Sequence, residues 1–150
     1  SVLTWATPIF GVLAFLVAYR MYVGIMALPA GNARMQEISG AIRAGALAYL
    51  KQQAFYLAQF IAVAFLSIWY MLKFDTAVCF ILGASMSLLA GFLGMKAATM
   101  ANVRTAQAAS DKQPGQALMV AFNGGAVMGL TVAALGLIGM GGYAWFALNS

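Results

Sequence analysis

An all-α integral membrane fold follows from three features of this 150-residue sequence. Apolar residues make up 64% of the chain and charged residues 7%, against about 45–50% and about 25% in soluble globular proteins. Four apolar stretches each approach or exceed the roughly 20 helical residues needed to cross a hydrocarbon core. The eight Lys and Arg residues, set against three acids and no histidine, are distributed unevenly between the connections. The composition also excludes several classes. Cys79 is the single cysteine, so a disulfide scaffold cannot form. Without histidine there is no His/Cys zinc site and no histidine-dependent triad. The basic residues are spread along the chain rather than gathered in a patch, and no nucleic-acid motif accompanies them.

The four spans fall at about residues 2–28, 54–72, 77–95 and 117–140. The first lacks a basic residue ahead of its apolar run and has a poor cleavage site near Pro29, so it reads as a retained helix rather than a secretory signal. Arg20, Arg34, Arg43 and Lys51 lie towards the first connection, and Lys96, Arg104 and Lys112 towards the third. The second connection carries Lys73 alone. The positive-inside rule then places both longer loops in the cytoplasm and both termini outside. Trp5, Trp69, Tyr70, Tyr143 and Trp145 fall at the outer ends expected on this topology, and Tyr19, Tyr22, Tyr49 and Tyr56 towards the inner ends.

The longer loops carry helical signals of their own. Met35, Ile38, Ile42, Ala46, Tyr49 and Gln53 recur at spacings of three and four, and Gly31-Asn32 offers a break and an N-cap ahead of them. With no proline before Leu72, one rod of about 39 residues, about 58 Å at 1.5 Å per residue, is expected. Its cytoplasmic extension spans residues 34–53. The third span is expected to continue likewise through 96–110, until Asp111-Lys112-Gln113-Pro114-Gly115 stops it. The alternative is an amphipathic helix lying flat at the interface and bent at Gly40 and Gly45.

Small residues recur four apart within the spans. Ala117, Ala121, Gly125, Gly129 and Ala133 form one stripe, and Gly83, Ser87 and Gly91 another. Close helix packing is the expected role, in preference to a gating hinge. No ionisable residue lies near the middle of a span, so the segment does not resemble an ion conduit. Gln59 and Asn123 are the strongest polar groups within the spans, with two readings open: a hydrogen bond across a helix interface, or separate exposure to water near the headgroups. Glu37, Asp75 and Asp111 are dispersed and supply no metal cluster, and no phosphate-cradling loop is present.

Three segments resemble one family. Residues 35–50 (MQEISGAIRAGALAYL), 91–109 (GFLGMKAATMANVRTAQAA) and 117–130 (ALMVAFNGGAVMGL) are similar, in order and spacing, to the early helices of membrane-bound, ion-translocating inorganic pyrophosphatases. The sequence departs from the usual pattern at Lys51-Gln52-Gln53-Ala54, at Met100, and at Gly124, where serine is common. The resemblance implies an N-terminal four-helix portion of a sixteen-helix homodimeric pump. Such a pump couples cytoplasmic hydrolysis of magnesium pyrophosphate to outward proton or sodium transport, with potassium as a further candidate cofactor.

The family's aspartate-rich motifs and charged gate lie on later helices, so no catalytic, cofactor or metal residue is carried onto this chain. The segment is expected to be inactive alone and to act as outer-ring scaffold, its partners being lipid and the remaining helices. A bacterial cytoplasmic membrane is the expected location. Asn102 and Arg104 are the candidates for specific contacts with helix ends or loops of the missing part; for Arg104 a solvent-facing topological charge is the alternative. Two further functional readings stand beside the pump: a small oligomeric four-helix transporter and a non-catalytic membrane assembly subunit.

Overall fold

A computed structural model describes residues 2–149 as four helices: α1 (Val2–Met26), α2 (Ala33–Met71), α3 (Phe74–Ser110) and α4 (Pro114–Asn149). All four are long and apolar enough to cross a membrane. Among the described residues there is no strand. The α1–α2 and α3–α4 connections share one end of the molecule, here termed the loop end. The α2–α3 turn, the start of α1 and the last turns of α4 lie at the other, the turn end.

The breaks between helices have local causes. Gly31 adopts φ +87°, a left-handed conformation that glycine tolerates without steric cost. Asn32 follows in extended backbone and caps α2, its side-chain oxygen accepting the Met35 N–H at 2.9 Å. Gln36 Nε2 donates back to the Gly31 carbonyl at 3.0 Å. From this cap α2 runs uninterrupted for 39 residues, through Gly40 and Gly45. The expected long rod is therefore observed, and the bent alternative is not.

The end of α3 also falls where the sequence places it, but the breaker is shorter than expected. Lys112 takes φ 56°, and Gln113 N–H returns to the Ala108 carbonyl at 3.0 Å. Pro114 does not belong to the stop. It opens α4, because the first helical position needs no N–H donor and suits the fixed φ of proline.

The helices form a bent row in the order α2, α3, α4, α1. The α3–α4 and α4–α1 seams are the most extensive, α2 packs on α3 only, and α1 touches α3 briefly. At the loop end Ile25, Ala97, Ala101, Val120 and Val127 form one buried cluster, with Met21, Tyr22 and Leu28 against it. Backbone approach is closest where a side chain is missing. A Cβ on Gly124 would stand 2.6 Å from that of Ala101, and one on Gly11 would stand 3.0 Å from the Ala134 carbonyl oxygen. The second contact is with backbone, which cannot move aside as a side chain can.

Within this chain the seams do not run along the expected packing stripes. Gly83, Ser87, Ala121, Gly125 and Gly129 are exposed and Gly91 is half-buried; no atom of a neighbouring helix would meet a Cβ placed on any of the four glycines. The reason is geometric. At about 100° per residue, each four-residue step advances about 40° around the helix, so a strict i, i+4 stripe winds off the contact face. The buried residues instead alternate spacings of three and four: Ala90, Gly94, Ala97, Ala101, Arg104 and Ala108 on α3, and Ala117, Val120, Gly124, Val127, Thr131 and Ala134 on α4. A mean step of about 3.5 stays on the seam of a nearly antiparallel pair. Ala117 alone belongs to both patterns.

Candidate functional site

Two residues of the run at 102–104 have opposite environments. Arg104 is 8% exposed, which overturns its alternative reading as a solvent-facing charge. α3 presents it towards the end of α1. Its Nε donates to the Leu28 carbonyl at 3.2 Å, Nη2 to the Met26 carbonyl at 3.3 Å and Nη1 to the Met100 carbonyl of its own helix at 2.9 Å. The last carbonyls of a helix lack intrahelical partners and carry the negative end of its dipole. The guanidinium meets both needs, binding orphan acceptors with a rigid fork and placing positive charge at that pole. Arg104 does bind a helix end, as expected, but the end belongs to α1 of the same chain rather than to a missing part.

Asn102 is exposed, and its side chain makes no hydrogen bond among the described residues. It borders a shallow recess of about 350 Å³ beside Thr105, Ala121 and Gly125, on the outer flank of the α3–α4 seam. Gln59 and Asn123 do not meet. They sit on α2 and α4, which α3 separates and which make no contact; Gln59 is exposed and Asn123 half-buried. The hydrogen-bonded pair is thus excluded within this chain.

Below the Arg104 clamp lies a polar recess of about 310 Å³, lined by Leu28, Pro29, Gln107, Asp111, Gln113 and Gln116 among others. Gln107 Nε2 donates to both Asp111 carboxylate oxygens at 3.0 Å, fixing that acid at the end of α3. Glu37 pairs with Arg34 at 2.9 Å on the surface of α2, while Asp75 lies in the first turn of α3 at the opposite end of the molecule. No three His, Cys, Asp or Glu residues lie together among the described residues.

The turn end offers a different surface. α3 and α4 diverge there around an apolar groove of about 570 Å³, lined by residues including Gly83, Ser87, Gly91, Val132, Gly136 and Gly139. Much of the predicted small-residue stripe of α3 opens onto this groove instead of closing the pair. Trp5 and Trp145 meet edge to face at 5.9 Å, and Trp69 and Phe74 at 5.6 Å, which gathers the aromatic residues of this end as the sequence expects. Gly11, Gly94, Gly124, Gly139 and Gly141 do meet neighbouring helices, and none of them belongs to the stripes expected from sequence. The alternation of threes and fours among small residues was the available signal.

Such a molecule is a set of helices able to span a membrane, with a clamped helix end and uncovered apolar faces. Comparison with known proteins gives the class a name. The profile described as "Inorganic H+ pyrophosphatase" matches residues 12–150, and the chain belongs to that family.

A putative K(+)-stimulated pyrophosphate-energized sodium pump of Clostridium tetani is 49% identical over 120 residues, covering 80% of this chain and 18% of the relative. The K(+)-stimulated pyrophosphate-energized sodium pump of Thermotoga maritima is 42% identical over 79% of the chain and 16% of its own length. A K(+)-insensitive pyrophosphate-energized proton pump of Moorella thermoacetica is 43% identical over 89% of the chain and 20% of its own length. The chain thus spans about a fifth of these relatives, and similarity to it does not separate sodium from proton pumps.

Proposed function

We propose that this chain is the N-terminal membrane scaffold of a pyrophosphate-energised pump, which couples cytoplasmic hydrolysis of magnesium pyrophosphate to outward movement of protons or sodium ions. The observation that carries the scaffold role is Arg104. The buried charge of the segment is committed to three backbone carbonyls, so it braces helices rather than handling an ion. Magnesium, potassium where it acts, and pyrophosphate bind on later parts of the protein, whose complete form is a homodimer. The loop end faces the cytoplasm of a bacterial cell, because seven of the eight basic residues lie towards it. The segment is inactive by itself and stands in the outer ring, with the exposed small residues of α3 and α4 turned to helices that follow.

The test is Arg104→Met in the complete protein, reconstituted in liposomes. Hydrolysis and ion transport are expected to fall together with the fraction of folded protein, leaving the number of ions moved per pyrophosphate unchanged. A reduced ratio at unchanged stability would place Arg104 in the coupling path and overturn the scaffold role.

A further inference from the structure

Lys96 ends the apolar stretch of α3. It lies 22 residues beyond Phe74, about 33 Å along the axis at 1.5 Å per residue, which is close to the thickness of the hydrocarbon core. Two slots open on either side of it. One, of about 210 Å³, runs between α1 and α3 over the face of α4, with Phe15, Ala18 and Leu93 forming its apolar wall and Tyr19 and Tyr22 beside Lys96. It exists because α1 leans on α4 and scarcely touches α3. The other, of about 110 Å³, lies between α2 and α3, where Arg43 and Lys96 share a wall with Leu47 and Phe92.

Among the described residues neither cation has an acid to neutralise it. Glu37 is taken by Arg34, Asp111 by Gln107, and Asp75 begins α3 at the far end. The side chains of Arg43 and Lys96 make no hydrogen bond or ion pair among the described residues. Two like charges beside one slot, at the edge of a low-dielectric layer, repel each other and are costly to desolvate. A phosphate between them removes both penalties, and the tyrosines stand at the level where aromatic side chains meet headgroups.

We propose that this is a binding site for an anionic phospholipid. Arg43 and Lys96 hold its phosphate, and an acyl chain lies in the slot between α1 and α3. The charge complementarity selects anionic over zwitterionic lipid, and the apolar wall running outward from Lys96 selects a lipid over a soluble phosphate. The inference requires that the helices span a bilayer and does not depend on which ion the complete protein moves.

The experiment is native mass spectrometry of the complete protein, equilibrated with equal amounts of phosphatidylglycerol and phosphatidylcholine of matched acyl chains. Wild type is expected to retain phosphatidylglycerol preferentially. The Lys96→Gln and Arg43→Gln variants should each lose retained phosphatidylglycerol by about fivefold, in keeping with the attraction of one basic residue for an anionic surface. Lys96→Arg should keep it, and Lys73→Gln, at the opposite end of the spans, should not change it. Equal retention of the two lipids by wild type, or unchanged retention in the Lys96→Gln/Arg43→Gln double variant, would overturn the proposal. Photo-crosslinking of wild type with an acyl-diazirine phosphatidylglycerol requires no folded variant. Adducts are expected within residues 12–22 and 89–96, and labelling confined to other segments would likewise refute the site.

Discussion

α1 and α2 flank the central α3–α4 pair from opposite sides, both apolar and both able to cross a bilayer, yet they are held very differently. α1 buries Ala18 and Ile25, presses Gly11 onto α4 backbone and has its last carbonyl, that of Met26, and the Leu28 carbonyl just beyond it clamped by Arg104. α2 has no buried residue along its 39 positions. Hydrophobicity is therefore no measure of packing in a membrane, because lipid tails satisfy an apolar side chain as well as protein does. Only close backbone approach and satisfied polar groups separate a docked helix from one whose neighbours lie elsewhere.

The largest effect should come from the clamp. Arg104→Met removes a charged donor from three carbonyls, and charged hydrogen bonds contribute about 1.5–3 kcal/mol each in net terms. These donors act as one group, so the total is smaller than a sum. A loss of about 3 kcal/mol is expected, read as a lower melting temperature of the complete protein in detergent. Arg104→Lys should recover only part of it, since an ammonium group cannot reproduce the planar fork. If lysine restores full stability, the charge at the end of α1 matters and the fork does not.

Next comes the seam between α1 and α4. Gly11→Val sets a branched side chain where a Cβ already meets the Ala134 carbonyl at 3.0 Å and Ile138 Cγ1 at 2.7 Å. Overpacking of this kind costs about 1–3 kcal/mol. Gly40→Val on α2 meets no neighbouring atom and should change stability by well under 1 kcal/mol, since exposed helix positions respond only to intrinsic propensity. Equal melting temperatures for the two variants would mean that α1 is not docked as described.

The difference between α1 and α2 marks how much the sequence could reveal. Four helices, their turns at Gly31-Asn32 and Asp111-Lys112-Gln113, and the continuity of α2 are legible because hydropathy, capping and left-handed turns are local properties. Neighbours are not local. Gln59 and Asn123 share a depth in the membrane on hydropathy alone, yet α3 stands between their helices. Gly125 and Gly129 read as a contact face at a step of four, while the actual seam keeps a mean step of about 3.5 and selects Gly124 and Val127 instead. Arg104 reads from sequence as a contact residue for helix ends or loops of the missing part, with a solvent-facing charge as the alternative, and its burial is a property of the fold. Its partner, the end of α1, 76 and 78 residues away in the chain, could come only from the fold.

The start of α2 gives a smaller effect that isolates local from tertiary stabilisation. Asn32→Ala deletes the acceptor for the Met35 N–H, and loss of such a cap costs about 1 kcal/mol. Because α2 lacks buried residues to compensate, the change should appear as faster amide exchange confined to the first turns of α2. Exchange spreading into α1 would show that the Asn32 cap also secures the Arg104 clamp across the short α1–α2 connection.

The smallest effect belongs to the surface pair beside that cap. Arg34 and Glu37 are joined at 2.9 Å, but their side chains are 75% and 69% exposed. An ion pair so open to water is screened by salt and opposed by the entropy of two long side chains, leaving about 0.5 kcal/mol or less. Arg34→Gln should therefore leave the melting temperature nearly unchanged, and raising the ionic strength should remove what difference remains. Arg34 and Arg104 both lie near the α1–α2 connection and differ chiefly in burial and in the acceptors each one meets. A salt-insensitive loss at Arg34 approaching that of Arg104→Met would mean that α2 docks against a neighbour there, and the contrast between the two flanking helices would fail at its loop end.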